Sequence, residues 1–167
     1  MNDAVVIMGV AGCGKSSLGA AVAQGCGRVL IEGDDSHSDS SREKMRRGIA
    51  LTDADRQGWL DRLADQLRQH PHDGVLTCSA LRRAYRDRLR SAVPGLRFVY
   101  LDISRDEALA RVAARPSHFF SSTLVDSQFA TLEPPVGEPG VLRVDATAPL
   151  HQLQAEVTAW LQAQEAA

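Results

Sequence analysis

Five short apolar runs punctuate the chain: Ala4–Met8, Val29–Ile31, Val75–Thr77, Phe98–Leu101 and Val141–Val144. Each is continuous rather than alternating, the pattern of strands covered on both faces. Between them the apolar positions recur at helical spacing. Trp59, Leu60, Leu63, Ala64 and Leu67 predict one helix, with Thr52 and Asp55 spaced as a capping box in front of it. Leu81, Tyr85 and Leu89 mark a second helix, and Leu150, Leu153, Val157, Trp160 and Leu161 mark the last. Strands separated by helix-length crossovers predict an α/β domain: a parallel sheet with helices on both faces. Two segments leave this rhythm, the polar stretch Asp34–Ala50 and the Ser-, Pro- and aromatic-containing stretch Pro116–Gly140. Long irregular insertions in a compact domain serve as substrate loops or lids. They are the expected moving parts of one domain spanning residues 1–167.

Composition narrows the function classes. A chain of 167 residues can bury a sizeable core, and its net charge of −2 argues against a nucleic-acid or membrane surface. Lys15 and Lys44 are the only lysines, which makes each easier to interpret. Cys13, Cys26 and Cys78 form no CxxC pair, so neither a disulfide framework nor a zinc site is indicated. The first apolar run is too short for a signal peptide or a membrane span, and a cytoplasmic protein is expected.

Directly after the first run comes Gly9-Val-Ala-Gly12-Cys13-Gly14-Lys15-Ser16, a full G-x-x-x-x-G-K-[ST] phosphate loop, followed by Ser17. Glycines let the backbone turn so that successive N–H groups point at phosphate oxygens. Ser16 opens a helix whose N-terminus favours negative charge. Lys15 is expected on the β- and γ-phosphates of ATP, and the Ser16 hydroxyl on Mg²⁺. Cys13 has no histidine near it in sequence and reads as a small loop residue rather than a nucleophile. The third run ends without a carboxylate, but the second continues Glu32-Gly-Asp34-Asp35. Glu32 and Asp34 are two apart, on one side of an extended chain at the ligand edge of the sheet. Glu32 is assigned to the metal and Asp34 to the proton of the attacking hydroxyl, with Asp102 as a rival metal acid.

In series, these and further fragments resemble gluconokinases. The carriers are Gly33-Asp34-Asp35-Ser36-His37, Lys44-Met45, Gly48, Leu51-Thr-Asp53-Ala-Asp55-Arg56, Trp59-Leu60, Cys78-Ser-Ala-Leu81, Tyr85-Arg86, Leu89-Arg90, His118-Phe-Phe120, Ser127-Gln128-Phe129 and Leu132-Glu133. The chain departs from that family's pattern at Ser38 and Ser41, where Pro and Asn are usual, at Gly58, where Pro is common, and at Glu32, where Asp is more frequent. The resemblance implies a three-layer P-loop kinase fold with strand order 2-3-1-4-5 and a short lid. It further implies transfer of phosphate from ATP to the 6-hydroxyl of D-gluconate, and a homodimer.

Arg86 suits bidentate recognition of the gluconate carboxylate, with His37 and Lys44 as further substrate ligands. Arg111 and Arg115, four apart before the lid, are candidates for the charge that develops on the transferring phosphoryl group. His118 and Gln128 lie in the lid itself. Met45 and Trp59 read as core, and His70, His72 and His151 as surface. Shikimate and nucleotide kinases are rivals on the same fold. Shikimate kinases carry a glycine run after strand three, where this chain has Ser79-Ala80-Leu81. A regulatory NTP-binding module is a rival of another class, but a guanine-specific switch needs an Asn-Lys-x-Asp motif, and Asn2 is the only asparagine.

Overall fold

A computed structural model describes residues 3–114 and 122–165. Five parallel strands, β1 (Val5–Met8), β2 (Val29–Glu32), β3 (Gly74–Thr77), β4 (Arg97–Asp102) and β5 (Val141–Asp145), form one sheet in the order β2-β3-β1-β4-β5. The helices are α1 (Lys15–Cys26), α2 (Asp39–Arg46), α3 (Asp53–Gln69), α4 (Arg83–Ala92), α5 (Arg105–Ala113), α6 (Ser122–Thr131) and α7 (Leu150–Glu165). The strand pattern thus foretold the parallel sheet, and the resemblance its order.

The period-two geometry of a strand divides each apolar run between two cores. Val5 and Ile7 of β1 point into one with Leu18, Val22, Leu153, Val157 and Leu161 of α1 and α7. Val6 and Met8 point into the other, against Leu60, Leu63 and Leu67 of α3 and Leu89 of α4. Only the edge strands depart from expectation. β2 and β5 have a neighbour on one side, and Val29 remains 37% exposed.

The capping box at Thr52 and Asp55 is present in both directions and fixes the start of α3. The two segments read as irregular each contain a helix. Asp39–Arg46 buries only Ser41 and Met45, too few apolar positions to announce a helix from sequence. Its start is set by Ser38, whose hydroxyl accepts from the Ser41 N–H at 3.1 Å and donates to the Ser41 hydroxyl at 3.1 Å. The two serine departures therefore make a helix cap. Ser122–Thr131 is hidden for another reason, its weak helical periodicity, although Leu124 and Val125 are buried.

All five strands run in one direction, so their carboxyl ends share an edge. Register places Glu32 beside Thr77, and Ile7 beside both Thr77 and Val99. The phosphate loop, Glu32 and Thr77 meet there, where ligands of open α/β sheets bind.

Candidate active site

Residues 9–14 wrap the start of α1 as a tight loop. Gly12 and Gly14 hold left-handed backbone at φ 83° and 95°, which a side chain would strain. The Lys15 ammonium folds back over the loop and donates to the carbonyls of Gly9 and Val10, both at 3.1 Å. Cys13 is buried in the core beneath the loop, consistent with a packing role. A concave surface formed by Ala11, Gly12, Gly14, Lys15, Ser16, Ser17 and Asp34 lies on the outer side. It gathers the helix N-terminus, the ammonium and two hydroxyls, a setting suited to polyphosphate.

Beside the cradle, Glu32 Oε2 accepts from the Ser16 hydroxyl at 3.1 Å and from the Thr77 hydroxyl at 2.7 Å. Thr77 was missed in the sequence because it ends a strand and carries no charge. One carboxylate and two hydroxyls are hard oxygen donors, and they fit a magnesium ion that keeps waters and phosphate oxygens in its remaining positions. Among the described residues no cluster of three His, Cys, Asp or Glu gathers as an all-protein metal cage, which such a shared ion does not need. The rival acid Asp102 is instead bound by Arg143, at 2.8 and 2.7 Å from two guanidinium nitrogens.

Asp34 lies on a 3₁₀ turn, Gly33–Ser36, held from three sides. Trp59 Nε1 donates to the Gly33 carbonyl at 2.7 Å, and Thr77 Oγ1 accepts from Gly33 N–H at 3.3 Å. Arg42 donates to the Asp34 carbonyl at 3.1 Å. A Cβ on Gly33 would stand 2.1 Å from the Thr77 carbonyl oxygen, so only glycine fits there. The His37 ring stacks on Trp59 at 4.3 Å with its Nε2 3.6 Å from an Asp34 oxygen. Trp59 therefore does more than fill the core: it braces the acidic turn. Partial burial pushes the Asp34 pKa up, but the His37 ring, Lys15 and Arg42 outweigh it, and the net direction is down from the ordinary 3.8. The carboxylate is ionised at neutral pH and able to accept a proton.

Asp34 and Lys15 also line a second, adjoining chamber with His37, Met45, Arg56, Trp59, Ser79 and, from α6, Leu124, Ser127 and Gln128. Several expected residues meet here, including Met45, read earlier as core alone. Gln128 reaches across to the phosphate loop, where its Oε1 accepts from Ala11 N–H at 2.6 Å. Arg56 is a cation in this wall that the sequence offers as one carrier of the family resemblance but to which it assigns no site role of its own.

Three assignments change. Arg86 is completely buried and bound elsewhere: a two-pronged ion pair with Glu138 at 2.6 and 2.9 Å, and bonds to the Ala80 and Glu133 carbonyls at 2.8 and 2.9 Å. It clamps the loop after α6 to α4 and is not open to a substrate carboxylate. Lys44 is tied to Asp55 at 2.7 Å and joins α2 to the start of α3 rather than facing the chamber. Arg111 lies behind the phosphate loop, donating to the Gly12, Cys13 and Ala146 carbonyls at 3.3, 3.4 and 2.8 Å. It lines a separate cleft with Gly14, Ser17, Ala148 and Leu153, away from Asp34 and the acceptor chamber. Arg115 and His118 fall outside the described residues.

Comparison with known proteins agrees with this arrangement. A family model described as an AAA domain matches residues 5–135. The chain is 43% identical over 143 residues to a gluconokinase of Gluconobacter oxydans (strain 621H), covering 84% of this chain and 80% of that protein. It is 39% identical over 148 residues to the thermosensitive gluconokinase of Escherichia coli (strain K12), covering 86% and 79%. A crystal structure of a gluconokinase from Sinorhizobium meliloti 1021 superposes with a TM-score of 0.89 at 42% identity, covering 97% of this chain and 93% of that one. A phosphate loop at the carboxyl edge of a 2-3-1-4-5 sheet, an adjoining chamber that shares Asp34 with it and these relatives lead to one conclusion: the chain belongs to the gluconokinase family.

Proposed function

We propose that the protein transfers the γ-phosphoryl group of ATP to the 6-hydroxyl of D-gluconate, giving ADP and 6-phosphogluconate. The observation that carries this reading is the position of Asp34, which lines both the phosphate cradle and the adjoining chamber. An acceptor alcohol in that chamber meets the carboxylate on one side and the nucleotide's terminal phosphate on the other.

The steps follow from the side chains. The triphosphate lies along the N–H groups of residues 12–16, and Lys15 exchanges its two loop carbonyls for phosphate oxygens, compensating the charge that spreads over them in the transition state. Ser16 and Glu32, with Thr77 behind them, would hold a magnesium ion, which would supply further positive charge to the phosphates. Asp34 orients the hydroxyl and takes up its proton as the new O–P bond forms. His37 and Trp59 keep that carboxylate aimed. Gln128 and its neighbours on α6 cover the chamber, and exclusion of water there limits wasteful hydrolysis. Arg111 borders the separate cleft behind the phosphate loop. Arg115 and His118 remain candidates for contacts to the closing site. Most of the rate gain is positioning and electrostatics.

The protein acts as a single cytoplasmic domain and as a homodimer, with no nucleic-acid or membrane partner in this reading. Among the described residues, no helix is long and apolar enough to cross a membrane. The test is ADP release from Mg-ATP across a panel of gluconate, other sugar acids, shikimate and nucleoside monophosphates. Turnover with gluconate far above the rest is expected; preference for shikimate or a nucleotide would overturn the acceptor. Sedimentation of the purified protein tests the dimer.

A further inference from the structure

A gluconate site needs a partner for a carboxylate, and with Arg86 enclosed that partner must come from elsewhere. The basic side chains of the acceptor chamber are Lys15, His37 and Arg56. Lys15 borders the phosphate cradle as well and is matched to the nucleotide. His37 is stacked on Trp59 beside Asp34. Arg56 lines the chamber but not the cradle and, unlike His37, makes no contact with Asp34: its partners Tyr85 and Asp53 lie on α4 and at the start of α3.

The surroundings of Arg56 prepare it for an anion. It lies in the first turn of α3, where the orphan N–H groups add partial positive charge. Its side chain is only 12% exposed, yet among the described residues its guanidinium makes one hydrogen bond, donated from Nη1 to the Tyr85 hydroxyl at 3.3 Å. The guanidinium carbon stands 5.6 Å over the Tyr85 ring. Tyr85 in turn donates to Asp53 at 2.5 Å. Asp53 is 3.9 Å from Arg56, too long for a hydrogen bond, and its own side chain is 76% exposed, so the pairing is weakly neutralising. The other nearby acid, Asp55, is bound by Lys44 and by the Thr52 N–H. A half-enclosed arginine held in place by one edge, with most of its fork uncommitted, is the arrangement that binds a carboxylate through two parallel bonds.

We propose that Arg56, propped by the Tyr85–Asp53 pair, binds the carboxylate of the acceptor, so that a sugar acid lies with its acid end on α3 and its far hydroxyl at Asp34. This rests on the gluconate reading above and deepens it. It accounts for the position phosphorylated: fixing carbon 1 away from the cradle leaves the opposite end of the chain at the base. It also divides the Tyr85-Arg86 pair into two jobs, Tyr85 supporting the chamber and Arg86 the loop behind it.

The test compares wild type, Arg56→Met and Arg56→Lys with D-gluconate and with D-glucitol, the uncharged polyol that keeps the same far end. Charge-assisted hydrogen bonds contribute about 1.5–3 kcal/mol, which converts to a rise of roughly 10- to 150-fold in the gluconate KM of Arg56→Met. The KM for ATP and the reaction with glucitol should hold at wild-type values, so that the preference for the acid over the polyol collapses. Arg56→Lys keeps the charge but loses the fork, and an intermediate KM is expected even if the methionine variant folds poorly. A wild-type enzyme that phosphorylates gluconate, beside variants that retain its KM and its preference over glucitol, would overturn the subsite alone. A wild-type enzyme inert toward gluconate would overturn the acceptor reading, and the subsite with it.

Discussion

The clamp between Arg86 and Glu138 makes a sharp prediction, because two roles for one arginine have opposite signatures. Arg86 has no exposed side-chain surface and Glu138 only 3%. The pair is reinforced by Arg90 at 2.9 Å from the second carboxylate oxygen and by the two carbonyls that Arg86 also serves. Removing one member of a buried ion pair costs about 3–5 kcal/mol, since the partners left behind stay desolvated. In Arg86→Met, Arg90 still holds Glu138, which favours the lower end, while the Ala80 and Glu133 carbonyls lose a donor. For a protein of this size each kcal/mol lowers Tm by about 2–4 °C, so a fall of roughly 6–12 °C is expected from a loss of about 3 kcal/mol. Thermal unfolding followed by circular dichroism measures it, and gluconate KM is read on the same preparation below the transition. A substrate-binding arginine would behave the other way, with Tm unchanged and KM raised by an order of magnitude or more. That outcome would refute the structural assignment. The pH dependence supplies a second check. Hydrogen bonding to Arg86, opposed by burial and joined by Arg90, lowers the Glu138 pKa below the ordinary 4.5. Its contribution is therefore complete above 4.5 and lost as the pH falls through the lowered value. The stability gap between wild type and Glu138→Gln should close in acid, not in alkali.

Four further outcomes are expected. Asp34→Asn should lower kcat by about 10²–10⁴-fold, the usual worth of a general base, with Tm near wild type. Because the Asp34 pKa is depressed, wild-type kcat at saturating gluconate and Mg-ATP should show no loss from Asp34 between neutrality and the normal carboxylate range, and Asp34 should limit it only below that range. Gly33→Ala forces a methyl to within 2.1 Å of the Thr77 carbonyl, so it should cost about 1–3 kcal/mol in urea unfolding and much of the activity. Gly58→Ala, exposed within α3 with only Arg62 Nη1 at 3.6 Å, should raise stability by about 0.4–1 kcal/mol without changing kinetics.

The residues that announced themselves in the sequence were those whose roles are local. A strand buried on both sides must be a continuous apolar run, and a loop that cradles phosphate must have glycines at fixed spacing. Both are written within a few consecutive residues. The helices over Asp39–Arg46 and Ser122–Thr131 were not visible, the first because it buries too few apolar positions and the second because its helical periodicity is weak. Arg86 misled for a different reason. Its partner Glu138 is 52 residues away, and an arginine on an apparently basic face looks available until that acid is brought to it. Thr77, unremarked, and Arg56, quoted only as part of a motif, went without a role in the reverse sense. Register alone puts Thr77 beside Glu32, and the folding of α3 against α4 alone turns Arg56 into a chamber wall.

Gln128 belongs to the helix that roofs the acceptor, yet its amide oxygen is bonded to Ala11 on the nucleotide's own loop. The acceptor chamber and the phosphate loop are thus joined by one direct bond. Binding of ATP that strengthens or weakens that bond should alter gluconate affinity, and thermodynamic reciprocity then makes the factor identical in the reverse direction. Equilibrium titrations of either ligand with the other absent and saturating should return one common ratio, and Gln128→Ala should draw that ratio toward unity.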